Sequence, residues 1–113
     1  MSLIDEIKSA LVGPKQLRFN GQETFFQGHF PEAPVLPAFV QLRAVRLLVE
    51  SELSGPIEVL EVSRAVFKSR AEPEKLLEFE IKIDGDKAKA EISCEGIDIS
   101  LFNFRFQRVE SRA

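Results

Sequence analysis

Residues 25–53 have the sequence FFQGHFPEAPVLPAFVQLRAVRLLVESEL, in which a proline-rich segment runs directly into a long apolar segment. Pro31, Pro34 and Pro37 are spaced three residues apart, so this part can be neither a regular helix nor a central strand. It contains His29, the only histidine of the chain. The pattern predicts a constrained loop that brings this histidine to the start of a helix.

The apolar segment after Pro37 predicts a long helix that extends to about Ser54. Proline suits the first helical position because its missing N–H costs nothing there, and Gly55-Pro56 ends the helix. Apolar residues cover most of its circumference, so we expect burial on several sides. The polar residues form two groups, Arg43, Arg46 and Glu50 on one side and Gln41 and Glu52 on the other.

The flanking segments predict one short helix and several strands. Residues 2–12 have helical apolar spacing with a capping box at Ser2 and Asp5, and residues 15–27 look extended around an Asn20-Gly21 turn. After Pro56, residues 57–69, 77–83, 87–94 and 97–109 predict strands, with a hairpin at Asp84-Gly85. The apolar alternation changes phase near Leu101-Phe102, which indicates a bulge or burial of both faces.

This order predicts an α+β fold in which a curved antiparallel sheet holds one long helix. The chain of 113 residues is too short for two cores, so residues 1–113 are expected to form a single domain. One small sheet leaves edges and a face uncovered, which favours a dimer.

Composition narrows the possible functions. A net charge of −3 argues against nucleic-acid binding. The single cysteine, Cys94, excludes an intrachain disulfide, and one histidine with one cysteine cannot supply the usual zinc ligands within one chain. No apolar run reaches about 18 residues and no basic segment precedes an apolar one at the start. We therefore expect a soluble cytoplasmic chain without a membrane span, metal or cofactor.

His29 is the candidate for acid–base chemistry. Its near-neutral pKa suits a proton acceptor, and the following helix offers unpaired N–H groups, such as that of Ala38, which can stabilise an enolate-like oxyanion. Phe26, Phe30 and Phe39 can form the wall of an apolar slot. The alternative is that His29 is a packed or exposed loop residue without a catalytic role.

The run FFQGHFPEAPVLP at residues 25–37 resembles the signature F-F-x-G-H-F-P-G-x-P-V-M-P-G of the 3-hydroxyacyl-[acyl-carrier-protein] dehydratases. Residues 66–70 with Pro73 are similar to a second segment of that family, F-R-R-P-x-x-P-G. The resemblance implies a hotdog fold, dimers that form through their sheets, and active sites between two subunits.

The resemblance also implies roles for individual residues. His29 would abstract the α-proton of a 3-hydroxyacyl thioester, the N–H of Ala38 would bind the thioester carbonyl, and the N–H near Gly28 would assist. An acid on the long helix of the other subunit would protonate the departing hydroxyl. In the second segment, Phe67 would join the substrate-binding phenylalanines. Lys68 and Arg70 would dock an acidic acyl carrier protein, unless they are ordinary strand charges.

The sequence departs from the family at the position of this acid. Fourteen residues after His29, where the family has Glu or Asp, this chain has Arg43, and a guanidinium cannot donate a proton as a carboxylic acid does. Arg43 can still bind an oxygen, and Gln41 can hydrogen-bond the hydroxyl or a water. Alternatively, Arg43, Arg46 and Glu50 form a solvated, mutually paired helix face.

Three functional hypotheses follow from the sequence. The first is a hydro-lyase, a dehydratase acting on carrier-bound 3-hydroxyacyl chains in fatty acid, polyene or related lipid synthesis. The second is a non-catalytic or half-site subunit that pairs with a homologous dehydratase instead of forming a homodimer or larger homo-oligomer. The third is a thioester-binding protein or thioesterase, which the missing helix carboxylate makes less favoured.

Overall fold

The computed structural model of the chain describes residues 2–26 and 35–109. Its elements, in chain order, are α1 (Leu3–Ser9), β1 (Leu11–Gly13), β2 (Gln16–Leu17), a 3₁₀ turn (Thr24–Phe26), α2 (Ala38–Leu53), β3 (Ile57–Phe67), β4 (Leu77–Asp84), β5 (Lys87–Cys94) and β6 (Ile97–Arg108). The sheet has the strand order β1-β2-β4-β5-β6-β3, and every neighbouring pair is antiparallel. The α+β prediction, with one long helix and a short N-terminal helix, is confirmed.

The core lies between α2 and the inner face of the sheet. Alternate residues of β4 and β5 are buried, as the period of two predicts, and these inward side chains pack with the apolar side of α2 in a common core. The members with almost no exposed surface include Val40, Val45, Val49, Leu77 and Ile92. Within residues 2–26 and 35–109, no helix is long and apolar enough to cross a membrane.

A β-bulge in β6 explains the change of phase in the last strand. Ile92 pairs with Ser100, whereas the next residue, Ser93, pairs with Asp98, so Ile99 is the extra residue. Ile99 and Ser100 are both buried in consequence. The bulge lies slightly before the position that the sequence pattern indicated, and it turns a serine hydroxyl towards α2.

The N-terminal helix is shorter than predicted. The capping box is present, since Ser2 Oγ accepts a hydrogen bond from Asp5 N at 3.1 Å, and the hydrogen bonds with Ser2 lower the pKa of Asp5. However, α1 ends at Ser9, and Leu11 lies in β1 opposite Leu17. Pairing between strands has therefore replaced the last helical turn that the spacing suggested.

The described residues 15–26 contain little regular strand, although residues 15–27 were predicted to be extended. Within 15–26, Gln16–Leu17 alone forms a strand of the sheet. Beyond it, the Glu23 carboxylate accepts hydrogen bonds from Asn20 N and Gly21 N at 3.1 and 2.9 Å. Asn20 Oδ1 accepts another from Gln22 N at 2.7 Å. Side chains thus satisfy these backbone groups, which leaves the segment irregular.

The left-handed backbone conformation of the residue that ends α2 can be tested by substitution. Ser54 follows the helix in the left-handed region, with φ 57° and ψ 42°. Because glycine adopts this conformation without steric cost, we expect Ser54→Gly to raise the free energy of unfolding by about 0.5 to 1 kcal/mol. Urea denaturation at a fixed protein concentration measures it.

Ser51→Gly is the matched control, because the same substitution falls inside the exposed last turn of α2. There it is expected to lower the free energy of unfolding by about 0.5 kcal/mol. Equal effects of the two variants would contradict the prediction.

Candidate active site at the start of the long helix

The first turn of α2 presents unpaired backbone donors. Pro37 is the N-cap in an extended conformation, and its carbonyl oxygen accepts hydrogen bonds from Val40 N and Gln41 N, both at 3.1 Å. Within the described part of the chain, the N–H groups of Ala38 and Phe39 have no acceptor. Such groups, together with the helix dipole, favour a negatively charged or polarised oxygen.

A buried polar network positions this helix start. Leu36 N donates to Ala71 O at 2.7 Å, and Leu36 O accepts from Gln41 Nε2 at 3.2 Å. The other end of the Gln41 amide, Oε1, accepts from Ser100 Oγ at 2.7 Å. Gln41 and Ser100 are each 3% exposed. The network therefore ties the entry of α2 to the β6 bulge and to the segment after β3.

A groove of about 430 Å³ opens beside these donors. Its lining combines the start of α2 with the end of β3, namely Val35, Leu36, Pro37, Ala38, Gln41, Phe67, Lys68, Ser69, Arg70 and Ala71. The Phe67 ring is 51% exposed and stands edge-on to Phe102, with ring centroids 5.6 Å apart. An acyl thioester could bring its carbonyl to Ala38 here while its chain follows apolar surface.

The structure brings together only some of the residues that the sequence singled out. Ala38, Gln41, Phe67, Lys68 and Arg70 line one groove.

The other phenylalanines of the predicted slot do not share one environment. Phe39 is 59% exposed, whereas Phe26 is buried against Phe19 and Phe25 in the core. His29, Gly28 and Phe30 lie outside the described residues.

Arg43 differs from the other charged residues of α2. Arg46 Nε lies 3.6 Å from Glu50 Oε2, so this pair matches the mutually paired helix face. Glu50 Oε2 also accepts from Ile57 N at 2.9 Å. By contrast, the Nε atom of half-buried Arg43 has no hydrogen-bond partner, and no ion pair involves Arg43 among the described residues. An unsatisfied buried donor costs about 1 to 3 kcal/mol, so this arrangement calls for an acceptor outside the described chain.

Lys68 and Arg70 both lie at the groove but have different surroundings. Lys68 Nζ is 3.7 Å from Asp98 Oδ2, and both side chains are largely exposed. Arg70 is exposed and has no ion pair among residues 2–26 and 35–109. The positive charge of Arg70 is therefore more available to an acidic partner.

Two buried polar residues, Ser100 and Glu6, were not predicted from the sequence. The phase change in β6 indicated a bulge, but it did not indicate that Ser100 would face the core. Glu6 is buried and accepts hydrogen bonds from Thr24, the residue that begins the last described turn before residue 27. Its place on the apolar stripe of α1, with Leu3 and Ala10, was the available signal.

The described residues contain no group of three or more His, Cys, Asp and Glu side chains that could hold a metal ion. The side-chain polar groups that line the groove are the Gln41 amide, the Ser69 hydroxyl and two cations, and none of these is a usual zinc ligand.

Comparisons with known proteins identify the family of this chain. The sequence model of the ApeI-like family, described as ApeI dehydratase, matches residues 13–103. A 3-hydroxyacyl-[acyl-carrier-protein] dehydratase FabZ from Clostridium novyi is 34% identical over 100 residues, which cover 80% of this chain and 70% of that protein.

Solved structures share the fold. The dehydratase heterocomplex ApeI:P from Xenorhabdus doucetiae contains a chain with a TM-score of 0.75 and 21% identity, covering 82% of this chain and 84% of that one. A hypothetical protein from Aquifex aeolicus has a TM-score of 0.64 and 14% identity, covering 85% and 96%. The long helix on an antiparallel sheet is thus the hotdog fold. Because the family model spans most of the chain, this protein belongs to the ApeI-like dehydratase family.

Proposed function

We propose that this protein removes water from 3-hydroxyacyl thioesters carried by an acyl carrier protein. The imidazole of His29 takes the proton from the α-carbon, and the electrons of that C–H bond form the C=C bond. The C–O bond to the 3-hydroxyl breaks, and the hydroxyl leaves as water once it has gained a proton. The N–H at Ala38 stabilises the negative charge that develops on the thioester oxygen.

The observation that carries this proposal is that, among the described residues, the N–H groups of Ala38 and Phe39 beside the groove have no acceptor. They are held in place by Gln41, Ser100 and Ala71, so little reorganisation is needed when an oxyanion forms. Fixed donors of this kind contribute more than flexible ones, because their orientation is set before the reaction.

Protonation of the leaving hydroxyl is the step that this chain performs differently in our proposal. Arg43 stands where the resemblance expects a carboxylic acid, and a guanidinium does not release its proton at ordinary pH. The imidazolium that forms on His29 is a proton source that the reaction itself generates. Arg43 then acts by binding the hydroxyl oxygen, whereas buried Gln41 keeps its hydrogen bonds to Leu36 O and Ser100 Oγ and only positions the helix start.

A heteromeric dehydratase is the second candidate. The unpartnered Nε of Arg43 favours it, because a carboxylate from a different chain would satisfy this donor and also bring the missing acid near the site. The relative from Xenorhabdus doucetiae is described as a dehydratase heterocomplex, which supports this alternative. A thioesterase is less favoured, since the same helix position lacks a carboxylate.

We further propose that two chains associate through β3. This strand of 11 residues forms one edge of the sheet and, among the described residues, pairs with β6 alone. Its Leu60 and Val62 are each 39% exposed between charged residues, and a long unpaired edge is a surface that proteins usually cover or protect. A second copy, or a homologous chain, would cover it.

Carrier docking and cellular location complete the proposal. Arg70, and Lys68 less strongly, would attract the acidic carrier to the groove, because exposed charges mainly guide association. Cys94 is free and buried. Because a chain with one cysteine forms no intrachain disulfide, it suits a reducing compartment, and we propose a cytoplasmic location.

The role of His29 is tested by incubating the protein with a 3-hydroxyacyl carrier protein and measuring the 2-enoyl product. We expect His29→Ala to lower kcat about 10²- to 10⁴-fold, because the general base is lost. Lys87→Ala, at the β4–β5 hairpin, is a control that should keep full activity. Equal activity of His29→Ala and the parent protein would refute the proposed role.

Arg43→Glu tests whether a carboxylic acid at position 43 is needed to protonate the leaving hydroxyl. Because Arg43 binds the hydroxyl oxygen in our proposal, this variant is expected to lower kcat about tenfold or more in the same assay, whereas a gain of that size would show that only a carboxylic acid is lacking. Arg46→Glu, one turn further along α2, should give no gain. A parent protein that is inactive alone but becomes active with a homologous dehydratase subunit would favour the second candidate instead.

Val62→Lys tests the interface, because a charge in the middle of the β3 edge must lose its hydration on pairing. We expect it to raise the dissociation constant of the assembly at least about tenfold, by light scattering over a concentration series. Val12→Lys is the matched control: Val12 is 54% exposed on β1, at the opposite edge of the sheet. Unchanged assembly of Val62→Lys would exclude β3 as the interface.

A further inference from the structure

The buried polar and charged side chains of the described residues are Glu6, Gln41 and Ser100. Gln41 and Ser100 hold Leu36, which follows residues 27–34. Glu6 holds Thr24, which precedes them. Buried polarity therefore occurs at both borders of the segment that contains His29.

Glu6 binds Thr24 with both of its carboxylate oxygens. Oε1 accepts from Thr24 N and Oε2 accepts from Thr24 Oγ1, each at 2.9 Å. Two hydrogen bonds to one residue fix its orientation as well as its position. Because Thr24 begins the 3₁₀ turn Thr24–Phe26, the carboxylate sets where this turn sits on α1.

Using a buried carboxylate to hold Thr24 costs free energy, because its charge must be removed from water. Glu6 is 6% exposed, and no cation forms an ion pair with it within residues 2–26 and 35–109. An apolar side chain at this position would bury the same face of α1 without the cost of removing a charge from water. Stability of α1 therefore does not account for a charged residue here, whereas accurate placement of Thr24 does.

The turn is also packed firmly on its other side. Phe25 and Phe26 are 8% and 5% exposed, and both rings contact Phe19, with centroids 5.2 and 6.1 Å away. His29 follows Phe26 by three residues, which limits their Cα separation to about 11 Å. A displacement of the turn would therefore move the point from which the chain continues to His29, three residues further on.

We propose that Glu6 is a positioning residue, which acts through Thr24 to hold the turn from which the chain reaches His29. This inference rests on the proposed role of His29 as the base. Glu6 itself touches no reacting atom, so its loss should lower kcat through misplacement of the imidazole, with little change in substrate binding.

The test compares Glu6→Leu, Thr24→Val, their double variant and Thr24→Ser in the dehydratase assay. Glu6→Leu and Thr24→Val should each lower kcat about tenfold or more, with KM changed less than about threefold. The double variant should lose little more than Glu6→Leu, because Glu6→Leu already lacks both hydrogen bonds, whereas Thr24→Val keeps the one from the backbone N–H. Thr24→Ser keeps the hydroxyl and should restore near-parent kcat.

Ile7→Val is the matched control. Ile7 is the fully buried neighbour of Glu6 on α1, and its shortening weakens packing without touching the hydrogen bonds. It should lower stability and leave kcat unchanged below the unfolding temperature. Additive losses in the double variant, or an equal loss of kcat in Ile7→Val, would overturn the inference.

A second readout separates this inference from the proposed function. As the only histidine, His29 can be followed directly through its rate of modification by diethyl pyrocarbonate, with or without enzymatic activity. Glu6→Leu and Thr24→Val should change this rate alike, and Ile7→Val should not. An inactive parent protein with this pattern would refute the proposed function and keep the positioning role. Unchanged modification in all variants would refute the positioning role.

Discussion

The packing of α2 against the inner face of the sheet is the interaction on which the rest of the structure depends. The helix closes the core that β4, β5 and β6 line, and it brings its own N-terminus to the end of β3. Hydrophobic burial has no direction, so it stabilises this arrangement without fixing the exact place of the first turn. Three buried hydrogen bonds around Leu36, Gln41 and Ser100 supply that accuracy.

In the described molecule, apolar contacts supply most of the stability, whereas buried hydrogen bonds fix the position of particular segments. Aromatic and aliphatic side chains form the bulk of the core, while Glu6, Gln41 and Ser100 are its polar or charged members. Each of these is hydrogen-bonded, as buried polar groups must be to avoid a desolvation penalty. Their placement on both sides of residues 27–34 links the polar part of the core to the proposed chemistry.

Two features of the described chain have hydrogen-bonding groups that a partner or ligand could satisfy. Among residues 2–26 and 35–109, the outer side of β3 pairs with no strand and the Nε atom of Arg43 has no acceptor. Both features lie on elements that also carry the groove, because Phe67 ends β3 and Ala38 begins α2. Assembly and catalysis are therefore expected to depend on each other in this protein.

The sequence by itself determined the α+β class, the long helix and most strands, since apolar periodicity and turn residues act locally. The predicted helix start singled out Ala38, and the resemblance to the dehydratase family added Gln41 and the anomaly at Arg43. Only the tertiary structure decided that α1 ends at Ser9, that Ser100 faces Gln41 and that Glu6 holds Thr24. These depend on strand pairing, a bulge and contacts between distant segments, and no local pattern encodes which residues such contacts bring together.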